Sequence, residues 1–276
     1  MKKLRLLTVG ILAMTCQTFA QQRIDVSLTL AHNMFITGEP VVIQAKVTNQ
    51  TRDPLEFGEG AKDAFFIEVS KDSRYNELSP ESDKPFIKSF TLMPGNAFER
   101  HLEADKWFSL YENGKYLIRA VVVHGSMRYE SPVKTFDVLP GIPLKKGLQM
   151  FSFRKHLQRN FTLVQWTRAQ SKHLFLRIED EPDGLVWDTI DLGEIYQEEE
   201  PKMDIAPNGE VAVFHRINAD YYLRTVIWSL PDSVEIAERH SLLSAEASAA
   251  KRVRSTYGDT QKTAEEKQSS WWKFWK

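Results

Sequence analysis

ENGKYLIRA, residues 112–120, is the stretch from which the fold of the first half of the chain can be predicted. It joins a turn to a strand that continues as YLIRAVVVH (116–124), and apolar runs of period two lie on both sides of it. The predicted strands are Ile24 to Leu30, Val41 to Val47, AFFIEVS (64–70), FIKSFTLM (86–93), AFERHLE (97–103), YLIRAVVVH (116–124) and YESPVKTFDVL (129–139). Seven short alternating strands with no helical period between them predict an antiparallel β-sandwich over residues 21–140.

Gly114 and Tyr116 refine this prediction. A glycine followed by a strand tyrosine resembles the turn into strand F of an immunoglobulin-like domain, where the tyrosine hydroxyl bonds back to nearby backbone as a tyrosine corner. Tyr116 is therefore the candidate corner residue, and the alternative is that it is an ordinary strand aromatic. An antibody-type domain is excluded, because the predicted second strand has no cysteine and the predicted third strand has no tryptophan.

Three segments together resemble the immunoglobulin-like modules of bacterial extracytoplasmic proteins: GEPVVIQAKVTNQTRDPLEF (38–57), LMPGNAFERHL (92–102) and WFSLYENGKYLIRA (107–120). The most similar families are the BsuPI-type proteinase-inhibitor domains, the macroglobulin domains and the CARDB-like cell-adhesion domains. The resemblance covers less than half of the chain. It implies a sandwich fold with a binding or spacer role, and it carries over no active residue.

A second β module is predicted over residues 146–240, after a boundary at Leu139-Pro140-Gly141-Ile142-Pro143. LVQWTRAQSKHLFLRIEDEPDGLVW (163–187) aligns with VAVFHRINADYYLRTVIWSLPDSVEI (211–236) at an offset of 48 residues. The aligned pairs include Trp166 with Phe214, Arg168 with Arg216, Phe175 with Leu223 and Ile178 with Val226. A repeat of this length, built from three or four strands, has the size of a β-propeller blade.

Two blade-like copies cannot close a propeller, so two arrangements are open. The two units either pack face to face as a small sandwich, which we favour, or form part of a ring that another chain completes. Chance similarity between two amphipathic hairpins is the remaining alternative.

The first 20 residues have the three parts of a secretory signal peptide. Lys2, Lys3 and Arg5 precede a short apolar stretch, and Thr18-Phe19-Ala20 then places small residues at positions −3 and −1 before Gln21. Cleavage is predicted between Ala20 and Gln21. A buried N-terminal helix is one alternative, and a lipoprotein acylated at Cys16 is another. The residues before Cys16 lack the Leu at −3 and the small residue at −1 that lipidation requires.

Cleavage would remove Cys16, the only cysteine, so the mature chain would have no disulfide and no thiolate metal site. It would also change the formal net charge from −1 to −4, because three cations and no anion are lost. A mildly acidic chain with mixed charges gives no electrostatic reason to expect nucleic acid as a partner. No later stretch predicts a transmembrane helix, and about 255 residues suffice for one or two domains.

Motifs for catalysis or metal binding do not emerge from the sequence. The seven histidines show no metal-ligand spacing, and there is no GxSxG elbow and no glycine-rich phosphate loop. Glu179, Asp180, Glu181 and Asp183 supply oxygen ligands of the type that calcium prefers, but a solvated turn is the favoured interpretation. We therefore predict no catalytic residue, no metal and no cofactor.

The last segment, residues 241–276, is predicted to be a tail. SAEASAAKRVRS (244–255) favours a helix, and TYGDTQKTAEEKQSS (256–270) has the composition of a disordered linker. The candidate docking residues follow it: Trp271, Trp272, Lys273, Phe274, Trp275 and Lys276. Aromatic rings with lysines suit a membrane interface, a pocket on another protein, or an apolar strip on the same chain.

The function predicted from the sequence is that of an exported, non-enzymatic binding protein of the bacterial cell envelope, periplasmic or extracellular. Its expected partner is an envelope protein or a membrane surface, bound through the tail. The alternative is a hydrolase that acts on an extracellular polymer through carboxylates of the second module.

Overall fold

A computed structural model describes residues 23–151, 157–181, 184–196 and 199–243, which form eighteen strands and one turn of 3-10 helix. The strands of the first module are β1 (Ile24–Leu30), β2 (Met34–Ile36), β3 (Val42–Asn49), β4 (Leu55–Phe57), β5 (Ala64–Lys71), β6 (Phe90–Leu92), β7 (Ala97–Glu103), β8 (Gly114–His124), β9 (Met127–Glu130) and β10 (Lys134–Leu139), with the 3-10 turn at Ala104–Lys106. The strands of the second module are β11 (Ile142–Met150), β12 (Gln158–Arg168), β13 (Ser171–Glu181), β14 (Leu185–Glu194), β15 (Lys202–Ile205), β16 (Glu210–Arg216), β17 (Tyr221–Leu230) and β18 (Ser233–Leu243).

The prediction of an all-β protein is confirmed, since the described residues contain no α-helix. Across those residues no helical segment has the length and apolar character needed to cross a membrane. The predicted signal peptide, the helix predicted at 244–255 and the tryptophan-rich tail lie outside the described residues.

Two main sheets build the first module. One has the strand order β1-β3-β7, and the other has the order β2-β10-β8-β5, with β9 also paired to β8. β2 and β10 run parallel, whereas the other pairs in these sheets are antiparallel. β4 and β6 form a separate two-stranded sheet.

The alternation seen in the sequence places one apolar face of each main sheet in a shared core. The core includes Ile24, Val26 and Leu28 of β1, Ile43, Ala45 and Val47 of β3, and Ile118, Ala120 and Val122 of β8. Because every second side chain of a strand points to the same face, period-two apolar runs are sufficient to build this core. Burial of each large apolar side chain stabilises the fold by about 1.5–3 kcal/mol.

Two of the predicted strands differ from the structure. Within residues 86–93 only Phe90–Leu92 is a strand, because Phe86 packs against Trp107 with ring centroids 4.9 Å apart instead of entering a sheet. The run 129–139 is divided into β9 and β10 by Ser131-Pro132-Val133. Proline has no backbone N–H to donate to a ladder, which favours such a break.

The second module consists of two four-stranded antiparallel sheets with the orders β11-β12-β13-β14 and β15-β16-β17-β18. In each sheet the strands follow one another in chain order. One apolar core contains side chains of both sheets, among them Phe161, Leu163, Leu174, Leu176 and Ile178 from the first and Met203, Val211, Val213 and Ile227 from the second. The first strand of these sheets begins at Ile142 and the last ends at Leu243.

Candidate functional site

Tyr116 and Gly114, the two structural residues singled out in the sequence, lie together at the start of β8. The Tyr116 hydroxyl donates a hydrogen bond of 2.7 Å to the carbonyl oxygen of Glu112. Its ring is buried and stacks on Phe136 with centroids 5.3 Å apart. Gly114 has φ +149°, a conformation that favours glycine. The bond therefore ties the 112–114 turn to the strand that it starts.

The most extensive polar cluster that spans the two modules lies where β2 and the turn after it meet β12, β13 and β14. Its apolar part consists of Ile36 from the first module and Val164 and Phe175 from the second, all with no exposed surface. Trp166 packs against these three side chains. Because successive residues of a strand face opposite sides, Val164 and Phe175 lie on the face of their sheet opposite to the core of the second module.

Close backbone approach at this junction depends on Gly38. The residue has φ +82°, and a Cβ atom built on it would lie 2.4 Å from Val186 Cγ1 and 2.7 Å from Thr189 Oγ1. The preceding carbonyl, that of Thr37, accepts a buried hydrogen bond of 2.8 Å from the Thr189 hydroxyl. The turn therefore contacts β14 directly, with no room for a side chain at position 38.

An ion pair completes the junction. Arg168 Nη2 donates to both carboxylate oxygens of Glu39, at 2.6 and 2.7 Å. The Ile36 amide donates to Glu39 Oε2 at 2.9 Å, and His32 Nε2 lies 3.4 Å from Glu39 Oε1. Glu39 is only 9% exposed. Such a charge is costly to bury unless it is paired and hydrogen-bonded, as it is here.

The environment of Glu39 keeps its carboxylate ionised. Burial alone would raise the pKa of Glu39, but His32, the Ile36 amide and the Arg168 guanidinium together lower that pKa below its ordinary value. A carboxylate held in this way is a fixed anion and a poor proton donor. Its chemistry suits the fixing of geometry between the modules and does not suit general acid catalysis.

Asp191 and His173 extend the cluster on the second module. Arg168 Nη1 lies 3.4 Å from Asp191 Oδ2, and His173 Nδ1 lies 3.3 Å from the same oxygen. The Arg168 guanidinium also lies over the Phe175 ring, 5.2 Å from its centroid. Arg168 is thus held on its own module while it reaches Glu39 on the other.

A second buried ion pair lies within the β11–β14 sheet, and its arginine also reaches the other sheet of the second module. Arg159 has no exposed surface; it donates to Asp180 at 2.6 and 3.0 Å and to the Leu230 carbonyl at 2.7 Å. Its guanidinium lies 4.6 Å from the centroid of the Trp187 ring. The favoured interpretation of the acidic stretch as a solvated turn is therefore wrong for Asp180, which is buried because Arg159 neutralises it.

One histidine–aspartate pair occurs in the first module. His124 Nδ1 lies 2.7 Å from Asp63 Oδ1, and Asp63 Oδ2 accepts a 2.8 Å bond from the Glu56 amide. The pair joins the start of β5 to the β8–β9 hairpin. Over the described ranges, no group of three or more His, Cys, Asp or Glu side chains is arranged to hold a metal ion.

The sequence interpretation and the structure emphasise different residues. Ala20, Gln21 and the docking residues at 271–276 lie outside the described residues. In the sequence, Glu39 is part of the segment 38–57 that resembles immunoglobulin-like modules, and Arg168 is the partner of Arg216 in the repeat alignment. The repeat alignment is the one sequence signal that points to Arg168, because it pairs this residue with Arg216. The structure shows that the two arginines have different environments. Arg216 lies over Tyr196 and donates to the Ala219 carbonyl, all within the second module.

No protein-family model matches this chain, and no curated protein matches it. Among solved structures, the chain is similar to the alkylpurine DNA glycosylase AlkC of Pseudomonas fluorescens, bound to DNA containing an abasic site analogue. The match has 12% sequence identity and a TM-score of 0.26, and it covers 42% of this chain and 30% of that one. The chain thus spans less than a third of the glycosylase. A likeness this slight supports no conclusion about fold or activity.

Proposed function

We propose that this protein is an exported, non-enzymatic binding protein of the bacterial cell envelope. In this proposal, two β modules form one rigid body, and the aromatic tail at 271–276 docks on an envelope protein or on a membrane surface. The observation that carries the proposal is the use of the buried ionisable groups. Glu39 and Arg168 join the modules, and Arg159, neutralised by Asp180 of its own sheet, reaches the other sheet through the Leu230 carbonyl, so these groups are committed to holding surfaces in fixed positions.

Rigidity is useful to a binding protein because a surface that is already ordered loses less entropy when a partner binds. The junction supplies that rigidity in three ways: the ion pair, the Thr189–Thr37 hydrogen bond and the buried apolar contact around Ile36. A carboxylate that acts as a general acid or base, in contrast, must gain or lose a proton during a reaction.

An immunoglobulin-like layout of the first module and a blade-like layout of the second belong to the same proposal. The Tyr116–Glu112 hydrogen bond supports the first of these. The second is supported by the position of the two aligned segments, because each lies within the last three strands of a four-stranded antiparallel sheet.

The test of function is affinity capture from the native cell envelope with the full mature chain and with a chain that ends at Ser270. We expect the full chain to retain a partner or membrane lipid and the truncated chain to lose it. Lipid binding through Lys273 and Lys276 should weaken as salt rises, whereas an aromatic pocket should be far less sensitive. Equal capture by both chains would refute docking through the tail.

Export has a separate test. The mature protein isolated from the envelope should begin at Gln21, as measured by intact mass and N-terminal sequencing. A chain that retains residues 1–20, or one acylated at Cys16, would contradict the predicted cleavage.

A further inference from the structure

The outer face of the β15–β18 sheet has an acidic aromatic surface that the junction and the cores do not use. Ile227 points into the core of the second module, so its neighbour Trp228 points to the opposite face, where it is 39% exposed. Leu230, two residues further along β17, shares that face and is 48% exposed. This face therefore presents a tryptophan and a leucine to solvent beside each other.

Carboxylates surround these two apolar side chains. Trp228 is directly opposite Glu210 on β16 and directly opposite Glu235 on β18. In the next row, Val226 is opposite Glu238. Side chains at directly opposite positions lie about 5 Å apart at their Cβ atoms and share a face. We call the set Trp228, Leu230, Glu210, Glu235 and Glu238 the Trp228 platform.

The basic side chains in contact with this set are Arg224, which the carboxylates neutralise, and His240, whose Nε2 lies 3.5 Å from Glu238. Arg224 is buried, with Nη2 3.7 Å from Glu210 and Nη1 3.3 Å from Glu238. Glu235 is exposed, and Glu238 remains about half exposed despite its contact with Arg224. The platform thus has an exposed indole and an excess of negative charge, which suits a ligand that has both aromatic rings and cations.

The chain itself contains such a ligand. We propose that residues 271–276, Trp-Trp-Lys-Phe-Trp-Lys, dock in cis on the Trp228 platform, with aromatic rings against Trp228 and Leu230 and with Lys273 and Lys276 beside the carboxylates. This inference rests on the proposed function, because it assigns a resting position to the tail that an external target must displace. Docking in cis therefore regulates access to the tail.

The length of the chain fits this contact. Leu243 ends β18, and eight residues separate it from Glu235, which is about 26 Å along a strand. The 27 residues from 244 to 270 lie between Leu243 and the aromatic segment. With 244–255 as the predicted helix of about 18 Å, the 15 residues after it add a root-mean-square span of about 21 Å, which together reach across that distance. A tether whose span matches the distance to be covered gives the highest effective concentration, in the millimolar range.

Charge distinguishes this surface from the other exposed apolar strand. β11 also exposes large apolar side chains, including Leu144 and Leu148. Lys145 and Lys146 lie between those two residues, so they would repel the lysines of the tail. The Trp228 platform, in contrast, combines exposed apolar area with charge complementary to the segment.

Carbodiimide cross-linking of the full mature chain tests the contact, since the reagent joins amines to carboxylates that touch. Mass spectrometry should find Lys273 or Lys276 joined to Glu235, Glu238 or Glu210. Glu59, an exposed carboxylate of the first module, is the internal control and should not be joined. A mixture of ordinary and nitrogen-15 chains should give cross-links within one isotope only, whereas mixed-isotope links would show that a second copy is the occupant and would overturn the cis proposal.

Trp228→Ala separates docking from mere proximity, because it leaves every amine and every carboxylate in place. The cross-link yield should fall about tenfold, as expected when one aromatic contact is removed from a binding equilibrium. Tyr75→Ala removes a fully exposed tyrosine and should change nothing. If Trp228→Ala fails to fold, the double variant Glu235→Gln with Glu238→Gln provides the second test. The yield of cross-links from the tail lysines to Glu210 should then fall, because the platform has lost two carboxylates that attract those lysines.

The two proposals fail in different ways. Absent cross-links, or a yield unchanged in Trp228→Ala, would overturn docking in cis even if truncation of the tail abolishes capture. Cross-links that persist while truncation leaves capture intact would refute external docking and support the cis contact alone.

Discussion

At the scale of single residues, Tyr116 gives the most direct test of a role predicted from sequence. Tyr116→Phe removes the hydroxyl that donates to the Glu112 carbonyl at 2.7 Å and leaves the buried ring in place. We expect the free energy of unfolding to fall by about 1–3 kcal/mol, measured by chemical denaturation. Tyr75→Phe, on a fully exposed ring, is the control and should have no effect. An unchanged midpoint for Tyr116→Phe would show that the bond contributes nothing.

His215 makes stability depend on pH. The side chain is 1% exposed, and burial lowers its pKa from 6.5 to about 4. In the unfolded chain the imidazole takes up a proton below pH 6.5, but in the folded protein it does so only near pH 4. We therefore expect the contribution of His215 to stability to be fully present above pH 6.5 and to be lost as the pH falls from 6.5 to 4, by about 2 kcal/mol at pH 5.

The measurement for His215 is a comparison of unfolding free energies across pH in the wild-type protein and in His215→Phe. The variant keeps an aromatic ring of similar size and cannot be protonated. Its profile should be flatter than that of the wild type between pH 6.5 and 5, where most carboxylates remain ionised in both states. Parallel profiles over that range would show that His215 does not cause the loss.

At the scale of elements, alternation predicted the strands that face a core on one side. β1 and β7 have the predicted bounds, because each alternates over seven residues. β2 and β4 were not predicted, since three residues are too few to show a period. Phe86 shows the opposite error, because an apolar residue that a loop buries looks the same in the sequence as one that a strand buries.

The turn between β12 and β13 is strained, and this leads to a prediction. Ala169 and Gln170 have φ of 45° and 78°, the left-handed region that two-residue hairpin turns require and that Asn-Gly adopts most easily. Ala169→Asn with Gln170→Gly should raise the free energy of unfolding by about 1–2 kcal/mol. In the corresponding β16–β17 turn, Ala219 is not among the residues with positive φ, so Ala219→Gly is the control and should not stabilise the protein. A destabilised Asn-Gly variant would show that the native pair has other favourable contacts.

At the scale of the whole molecule, the junction was not predictable from the sequence. Its two main polar contacts, Arg168 with Glu39 and Thr189 with Thr37, join residues that are 129 and 152 positions apart. No local period links residues at such separations. Arg168 and Arg216 illustrate the difficulty, because the repeat alignment makes them equivalent while only Arg168 faces the other module. The tail residues stay a prediction, since they lie outside the described part of the chain.

A double-mutant cycle at Glu39 and Arg168 tests whether the junction holds the modules as one body. Arg168→Met leaves a buried carboxylate without its cation and should cost about 3 kcal/mol of unfolding free energy. Glu39→Gln with Arg168→Met should cost less than the sum of the single changes, with a coupling of about 1–3 kcal/mol. The control is Arg216→Met, whose contacts with Tyr196 and the Ala219 carbonyl lie within the second module. Its cost should add to that of Glu39→Gln without coupling.

If the junction is what unites the modules, Arg168→Met should also divide a single denaturation transition into two, because each module has its own core. A zero coupling energy with one undivided transition would mean that the apolar contacts of Ile36, Val164 and Phe175 suffice to hold the modules, and the ion pair would then set only the geometry of the contact.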